Sequence, residues 1–409
     1  SYDHIVYREN SKKDPTAESG YLRYRVAVNE IWKNNFIIYN TEYRPHVKTK
    51  LNLIAAYTNY NLTSDNFSIL REKQTTVNNI YANKYSTARV GLKSQFFLNN
   101  NLKVYIGADI EQNLFNNNEL NIDKGDTTKE KYKQNLYLLS TYGMIKGEII
   151  PKLNINIGLR INHLLNSKFT FFEPRLNLSY KLSPNFELLT TYAHTSQFAH
   201  LLTRESVGIP YQIWLPVNEQ IDPARSEIFS MGSKFQISNW IISSEYYHKK
   251  STNLILPNLG TDIFVVNPNL NTIIKDGETN SKGFEFSIQK QLSKTFLLNS
   301  SYTLAWTNLK FYELSNGREI PSFNDRRHNF NISLNANLNK KWQCNATWVY
   351  ISGVPITIPE QILPGLGIEY LSVNGGGLNR WSAATEEFNL INLFNSNILG
   401  PFTYDTQNI

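Results

Sequence analysis

The chain has 409 residues with 41 Lys or Arg, 34 Asp or Glu and a formal net charge of +7. Charged residues make up 18% of the chain, below the roughly 25% usual in soluble domains. Because the basic residues are scattered, a nucleic-acid-binding surface is not expected. The single Cys344 excludes intrachain disulfides and thiolate metal clusters.

Alternating apolar and polar residues predict antiparallel strands throughout the chain. The clearest example is Lys152–His163, in which odd-numbered apolar residues alternate with Asn, Lys and Arg. The hairpins predicted in the first half are 32–44 with 51–62, 85–97 with 102–113, and 132–149 with 152–163. The polar segments 63–84 and 114–130 between them are predicted as loops.

The second half repeats this arrangement. Its predicted hairpins are 172–182 with 186–195, 225–236 with 240–249, 283–291 with 295–306, and 327–338 with 342–351. Long loops are predicted over 196–224 and 250–280. Tyr21–Val28 and Ala384–Phe394 are expected to add two strands, for a total on the order of 16, which suits a wide barrel.

One apolar face repeated over many short strands is typical of an all-β, transmembrane, antiparallel up-and-down β-barrel. No segment approaches the roughly 18 consecutive apolar residues of a membrane-spanning helix. Tight Asn, Ser and Pro turns alternate with long loops, which predicts periplasmic turns and extracellular loops. Aromatic residues towards the strand ends predict girdles at the two lipid–water boundaries.

Catalytic and metal-binding motifs are not found in the sequence, so no enzyme activity, cofactor or metal site is expected. His194 and His200 in HTSQFAH are too far apart, and lack a carboxylate between them, to suggest a metal site. Arg160, Glu245 and Glu285 alternate with apolar neighbours, which places them on the lumen-facing side of the wall.

The loop 196–222 is the predicted ligand-recognition surface. Its aromatic and hydrogen-bonding groups are Gln197, His200, Tyr211, Trp214 and Pro216. The alternative is a loop that folds and packs on itself. The glycine-rich segment 352–380 is expected to be a mobile loop.

Six segments, in order, resemble the barrel portion of TonB-dependent outer-membrane receptors, especially those of Bacteroidetes-type bacteria. These are 173–202, 209–232, 245–255, 282–292, 323–334 and 348–359. The resemblance implies a 22-stranded family barrel, of which residues 1–409 would be a part. The family's plug domain and energy-coupling box are not recognised in the sequence, and 379–409 match the family poorly. We therefore expect the natural protein to be longer.

The resemblance implies active uptake of a scarce, large solute across the bacterial outer membrane: a siderophore, haem, cobalamin, peptide or glycan. Implied partners are outer-membrane lipid, the TonB complex acting through a plug, the imported solute and a surface lipoprotein. A passive outer-membrane porin or an adhesin is the alternative. A barrel enzyme is a third class, but a cluster of catalytic residues on the rim cannot be assembled.

Overall fold

The computed structural model describes residues 4–13, 21–70, 75–123, 126–165, 167, 169–204, 211–257, 273–339 and 341–355. The predicted strand Ala384–Phe394, the segment 379–409 and most of 352–380 lie outside these residues. Within the described ranges, the helices include none that is long and apolar enough to cross a membrane.

The strands before the connection between β9 and β12 follow one another along the chain. They are β1 (His4–Lys13), β2 (Tyr21–His46), β3 (Thr49–Leu70), β4 (Thr75–Phe97), β5 (Leu102–Asp123), β6 (Asp126–Ile150), β7 (Leu153–Leu164), β8 (Thr170–Ser183) and β9 (Phe186–Gln197). The later elements are β10 (Ala199–Arg204), β11 (Tyr211–Pro216), β12 (Ala224–Ile237), β13 (Trp240–Pro257), β14 (Ile273–Gln291), β15 (Phe296–Lys310), α1 (Tyr312–Ser315), β16 (Ile320–Pro321), β17 (His328–Asn337) and β18 (Gln343–Ile351).

A single 16-stranded sheet contains every strand except β10 and β11. Each strand is antiparallel to the next, and β9 pairs with β12 across the inserted hairpin β10–β11. The short β16 pairs only with β15. This order confirms the predicted all-β, up-and-down antiparallel fold.

The sheet has one end with short turns and one with longer connections, which we call the turn end and the loop end. Typical short turns contain Pro184–Asn185 or Ser238–Asn239, and Ser238 adopts a φ of 48°. Small polar residues tolerate this left-handed backbone conformation, so a tight hairpin can close there.

The loops predicted over 63–84 and 114–130 are wrong. β3 continues to Leu70, β4 begins at Thr75, β5 continues to Asp123 and β6 begins at Asp126. These parts of the strands carry polar residues on both faces, so their side chains give no alternating pattern. Their backbone groups still pair in an unbroken antiparallel register. The wall therefore extends well beyond the apolar band at the loop end.

The outward face of the sheet is apolar and exposed to its surroundings. Ile110, Ile157, Phe284 and Phe286 are all exposed, while polar neighbours such as Asp109 point to the opposite, inner face. An exposed apolar surface of this extent marks contact with lipid. The alternation therefore places hydrocarbon outside the wall and polar groups inside it.

Aromatic residues mark both boundaries of the apolar band. Towards the turn end, the Lys290 ammonium lies 3.9 Å from the ring centre of Trp240. Towards the loop end, the Tyr302 hydroxyl lies 2.9 Å from His328 Nδ1. Amphipathic rings with polar partners suit the lipid–water boundary, as the sequence predicts.

A charge on the outward face should destabilise the wall far more than one on the inner face. Phe286 is outward, midway between Lys282 and Lys290, and Gln289 is inner on the same strand. We expect Phe286→Lys to lower the free energy of unfolding in lipid by about 2–4 kcal/mol and Gln289→Lys to change it little. Urea titration of the lipid-inserted protein, followed by heat-modified gel mobility, measures both. Equal losses would contradict the assignment of the two faces.

Candidate functional site

The connection between β9 and β12 folds as the hairpin β10–β11 and lies against the inner face of the wall. One side of this hairpin packs on β5 to β8. The resulting first cluster consists of Phe115, Leu136, Leu138, Leu164, Phe171, Phe198, Ala199 and Val217, all buried. Phe115 and Val217 have no exposed surface. The inner face of β5 to β8 is therefore covered by apolar protein at this height.

The other side of the hairpin packs on a different part of the wall. This second cluster consists of Tyr81, Leu202, Ile213, Leu215, Ile221 and Ile273. Tyr81 belongs to β4 and Ile273 belongs to β14, which are far apart in the order of the sheet. The hairpin therefore joins two separate sectors of the wall.

A buried side-chain amide holds the hairpin to β4. Trp214 N–H donates to Asn83 Oδ1 at 3.3 Å, and Asn83 Nδ2–H donates to the Trp214 carbonyl oxygen at 3.4 Å. Asn83 also donates to Asn117 Oδ1 at 2.5 Å. One amide thus satisfies both backbone groups of Trp214, as a neighbouring strand would.

Two further contacts fix the same edge of the hairpin. Gln134 Nε2–H donates to the Val217 carbonyl oxygen at 3.0 Å. The Tyr85 ring stacks between Phe115, at 4.7 Å, and Trp214, at 5.2 Å between ring centres. A stacked aromatic group of this kind adds stability beyond the area it buries.

The segment after β11 is tied to β13 and β14. Asn253 Nδ2–H donates to the Pro223 carbonyl oxygen at 3.0 Å, and Lys275 Nζ donates to the Gln220 carbonyl oxygen at 3.3 Å. A cavity of about 370 Å³ lies here. It is lined by Glu219, Gln220, Ile221, Asp222, Asn253, Ile255, Lys275 and Asp276.

The predicted ligand residues fall in different environments. Gln197 is exposed and donates to the Ala199 carbonyl oxygen at 2.5 Å. Trp214 is half-buried, whereas His200 and Pro216 are buried. Tyr211 pairs with Arg204 through the backbone, and its side chain lies outside the described residues. The hairpin thus packs both on itself and on the wall, and among the described side chains of this set Gln197 and part of Trp214 are open to a solute.

His200 is a buried side chain in this hairpin. Its Nε2 lies 2.9 Å from the Asp222 carbonyl oxygen, so this nitrogen carries the proton and donates it. Burial lowers the pKa of His200, and the hydrogen bond to the Asp222 carbonyl only partly opposes that shift.

The three residues predicted to face the lumen lie on the inner face, in two different settings. Arg160 Nη2 and Arg89 Nε each lie 3.1 Å from Oδ1 of Asp109, whose carboxylate is nearly inaccessible. Glu245 and Glu285 are both exposed and lie directly opposite each other on β13 and β14. Sequence reasoning did not find Asn83 or Phe115 because both fall in segments that it assigned to loops.

The described residues contain no group of three or more His, Cys, Asp or Glu side chains that could hold a metal ion. The apolar contacts and amides of the hairpin are groups that can bind and orient a solute.

Comparisons with known proteins agree with this geometry. A family model described as TonB dependent receptor-like, beta-barrel matches residues 2–383. The search of curated proteins finds no match. Among solved structures, the siderophore receptor PiuA from Acinetobacter baumannii is similar at 14% identity and a TM-score of 0.52, covering 82% of this chain and 55% of PiuA.

Two other solved structures are similar over the same region. The copper transporter OprC has 12% identity and a TM-score of 0.50, covering 80% of this chain and 64% of OprC. The RagAB peptide importer has 8% identity and a TM-score of 0.50, covering 81% of this chain and 48% of that one. The chain thus spans less than two thirds of each of these structures, and at these identities the likeness concerns the fold alone.

Removal of the buried amide should loosen the hairpin without unfolding the wall. We expect Asn83→Ala to lower the local opening free energy of β10–β11 by about 1–3 kcal/mol, because Trp214 N–H and C=O lose their partner. Hydrogen exchange of the hairpin amides measures this change. Asn59→Ala is the control, since Asn59 donates to Ser86 on the outward side of the wall. Unchanged protection in the Asn83 variant would disprove the role of the amide.

The hairpin should open more readily as the pH falls. Because burial lowers the pKa of His200, its stabilising effect is present above the ordinary pKa of 6.5 and is lost as the pH falls from there towards the lowered value. We expect faster protease cleavage of the hairpin at about pH 5.5 than at about pH 7.5. His200→Gln should remove most of this difference, and an equal pH dependence in that variant would exclude His200 as its source.

Proposed function

We propose that this chain, which belongs to the TonB-dependent receptor-like β-barrel family, forms the wall and outer mouth of an active transporter in the bacterial outer membrane. The observation that carries the proposal is the hairpin β10–β11, which packs against the inner side of the wall at the loop end. The outward apolar belt supplies the membrane anchor. The loop end then faces the outside of the cell.

The packed hairpin favours a receptor over a passive porin. An open pore requires a water-lined passage, whereas Phe115, Leu215 and Val217 form dry apolar contacts at the inner wall. Water would have to displace these contacts for solute to diffuse past them. A gated path, in which energy is supplied to move the hairpin, fits this packing better than an open pore does.

Solute capture is proposed to begin at the exposed edge of the hairpin. Gln197 and Trp214 present a hydrogen-bonding amide and an indole ring, while His200 and Pro216 act as structural support beneath them. Tyr211 remains a candidate by its position in β11. Large solutes are usually bound by a few aromatic anchors and hydrogen-bonding groups of this type.

The cargo is proposed as a scarce, large solute: a siderophore, haem, cobalamin, peptide or glycan. The similar structures are named as a siderophore receptor, a copper transporter and a peptide importer, which supports import without choosing among these cargoes. The proposed partners are the imported solute, membrane lipid, the TonB complex acting through a plug, and a surface lipoprotein. The proposal concerns import alone and includes neither a catalytic role nor an origin in Bacteroidetes-type bacteria.

Energy coupling separates the transporter from the porin alternative. We expect accumulation of one labelled solute, drawn from a panel of ferric siderophores, haem, cobalamin, peptides and glycans, to fall to background in cells that lack TonB. An uncoupler of the proton gradient should have the same effect in cells that have TonB. Uptake that persists under both conditions would favour the porin.

Binding without transport tests the exposed edge of the hairpin separately. In cells that lack TonB, a double variant of Gln197→Ala and Trp214→Ala should bind the accumulated solute at least about tenfold more weakly, because two contacts are lost. Glu313→Ala, in the exposed helix α1, is the matched control. Unchanged binding in the double variant would remove these residues from the capture surface.

A further inference from the structure

Acidic and basic residues are separated between the two faces of β4 to β6 in the loop-end half of the wall. The carboxylates of Asp109, Glu111, Glu119 and Glu130 occupy inner positions. Asp109 fixes this assignment, since its carboxylate binds Arg89 and Arg160 on the inner side. Among the described side chains of this region, the outward positions of these three strands carry no Asp or Glu.

The outward face carries lysines instead. Lys129, Lys131 and Lys133 occupy consecutive outward positions of β6, and all three side chains are exposed. Lys84 of β4 lies in the same row, because Asn116 of β5 pairs with both Lys84 and Lys133. We call these four residues the lysine stripe. Within the described part of the chain, none of the four forms an ion pair.

The stripe begins just above the lipid-facing belt. Tyr137 and Leu139 are outward and exposed on the same strand, and the Tyr137 hydroxyl accepts a hydrogen bond from Gln112 Nε2 at 3.1 Å. Lys133 lies four residues further towards the loop end, which is about 13 Å along the strand and about 10 Å in height once the strand tilt is included. Lipid headgroups extend roughly 5–8 Å beyond the hydrocarbon on each side, so the lysine stripe begins near their outer edge.

Another outward sector of the wall is different. Near the loop ends of β9 to β14, Lys250 lies 3.3 Å from the Glu278 carboxylate, and His194 lies 3.5 Å from that of Glu227. Basic groups in that sector therefore have carboxylate neighbours. Positive charge without neighbouring carboxylates is therefore found at the lysine stripe but not at Lys250 or His194 in the outward sector from β9 to β14.

We propose that the lysine stripe binds phosphate groups on the headgroups of outer-leaflet glycolipids in the surrounding membrane. Neighbouring lysines on β6 are about 6.7 Å apart along the strand, so two ammonium groups can contact one phosphate or adjacent phosphates. Asn116 and Asn118, in the rows between Lys84 and β6, add amides that can hydrogen-bond phosphate or sugar oxygens. Lysine clusters at a membrane surface attract anionic lipid in this way.

The lysine stripe is continuous with the lipid-facing belt, which favours glycolipid headgroups over a soluble acidic protein as its ligand. A protein partner would have to displace the headgroups that already lie at the height of Lys133. The inference goes beyond transport and does not depend on which cargo is carried, so uptake and lipid binding can fail independently.

The test compares lipid binding by charge variants of the full chain in a neutral detergent. A diphosphorylated glycolipid is titrated, and bound lipid is counted by native mass spectrometry at low and high salt. We expect K129Q/K131Q/K133Q to weaken binding by at least about tenfold, given roughly fivefold for each lysine, and to remove most of its salt dependence.

The control variant K48Q/K294Q/K341Q removes the same charge from exposed residues at the turn end and should bind as the wild type does. The wild type and the stripe variant should bind the dephosphorylated glycolipid equally weakly. Heat-modified gel mobility confirms that each variant is folded. Equal affinity of the wild type and the stripe variant for the diphosphorylated lipid would overturn the proposal, as would equal weakening in the control.

Discussion

Backbone N–H and C=O groups that cross hydrocarbon must pair within the protein, because lipid offers them no partner. Here each strand meets that requirement by pairing with its neighbour in the sheet, over as many as 22 residues between β3 and β4. Once the sheet is fixed, alternation assigns every side chain to lipid or to the interior. Ile157 is therefore exposed on the outward face, and Asp109 is buried on the inner face. Both the membrane position and the inner polar surface follow from it.

The same rule explains where sequence reasoning succeeded. Within the lipid belt one face must be apolar, so the strand predicted from Lys152 to His163 corresponds closely to β7, Leu153–Leu164. Above the belt, headgroups and water lie on the outer side, so the outward side chains need not be apolar. Residues 63–70 and 114–123 remain in strands because their backbone groups pair in an unbroken register. Their side chains carry no alternating signal, so the strands could not be predicted there.

The candidate site was only partly predictable for a related reason. Trp214 and Gln197 attract attention as recognition groups in any loop, but whether a loop residue is exposed depends on contacts far away in the chain. Trp214 is positioned by Asn83, 131 residues earlier, and a lone Asn in a polar segment gives no sign of that role. The apolar run around Ile213 and Leu215 was the available signal, since such a run suggests burial more than solute contact.

The long strands β4 to β6 thus serve two surfaces above the membrane. Their inner positions supply Asn83, Phe115 and Gln134, which hold the hairpin, and their outward positions supply the lysine stripe. Alternation keeps the two sets apart even though they are adjacent in sequence: Asn83 next to Lys84, and Gln134 next to Lys133. A one-residue shift in register would move the lysines inward against the apolar clusters. Packing of the hairpin therefore helps to fix the register that turns the positive charge towards the lipid headgroups.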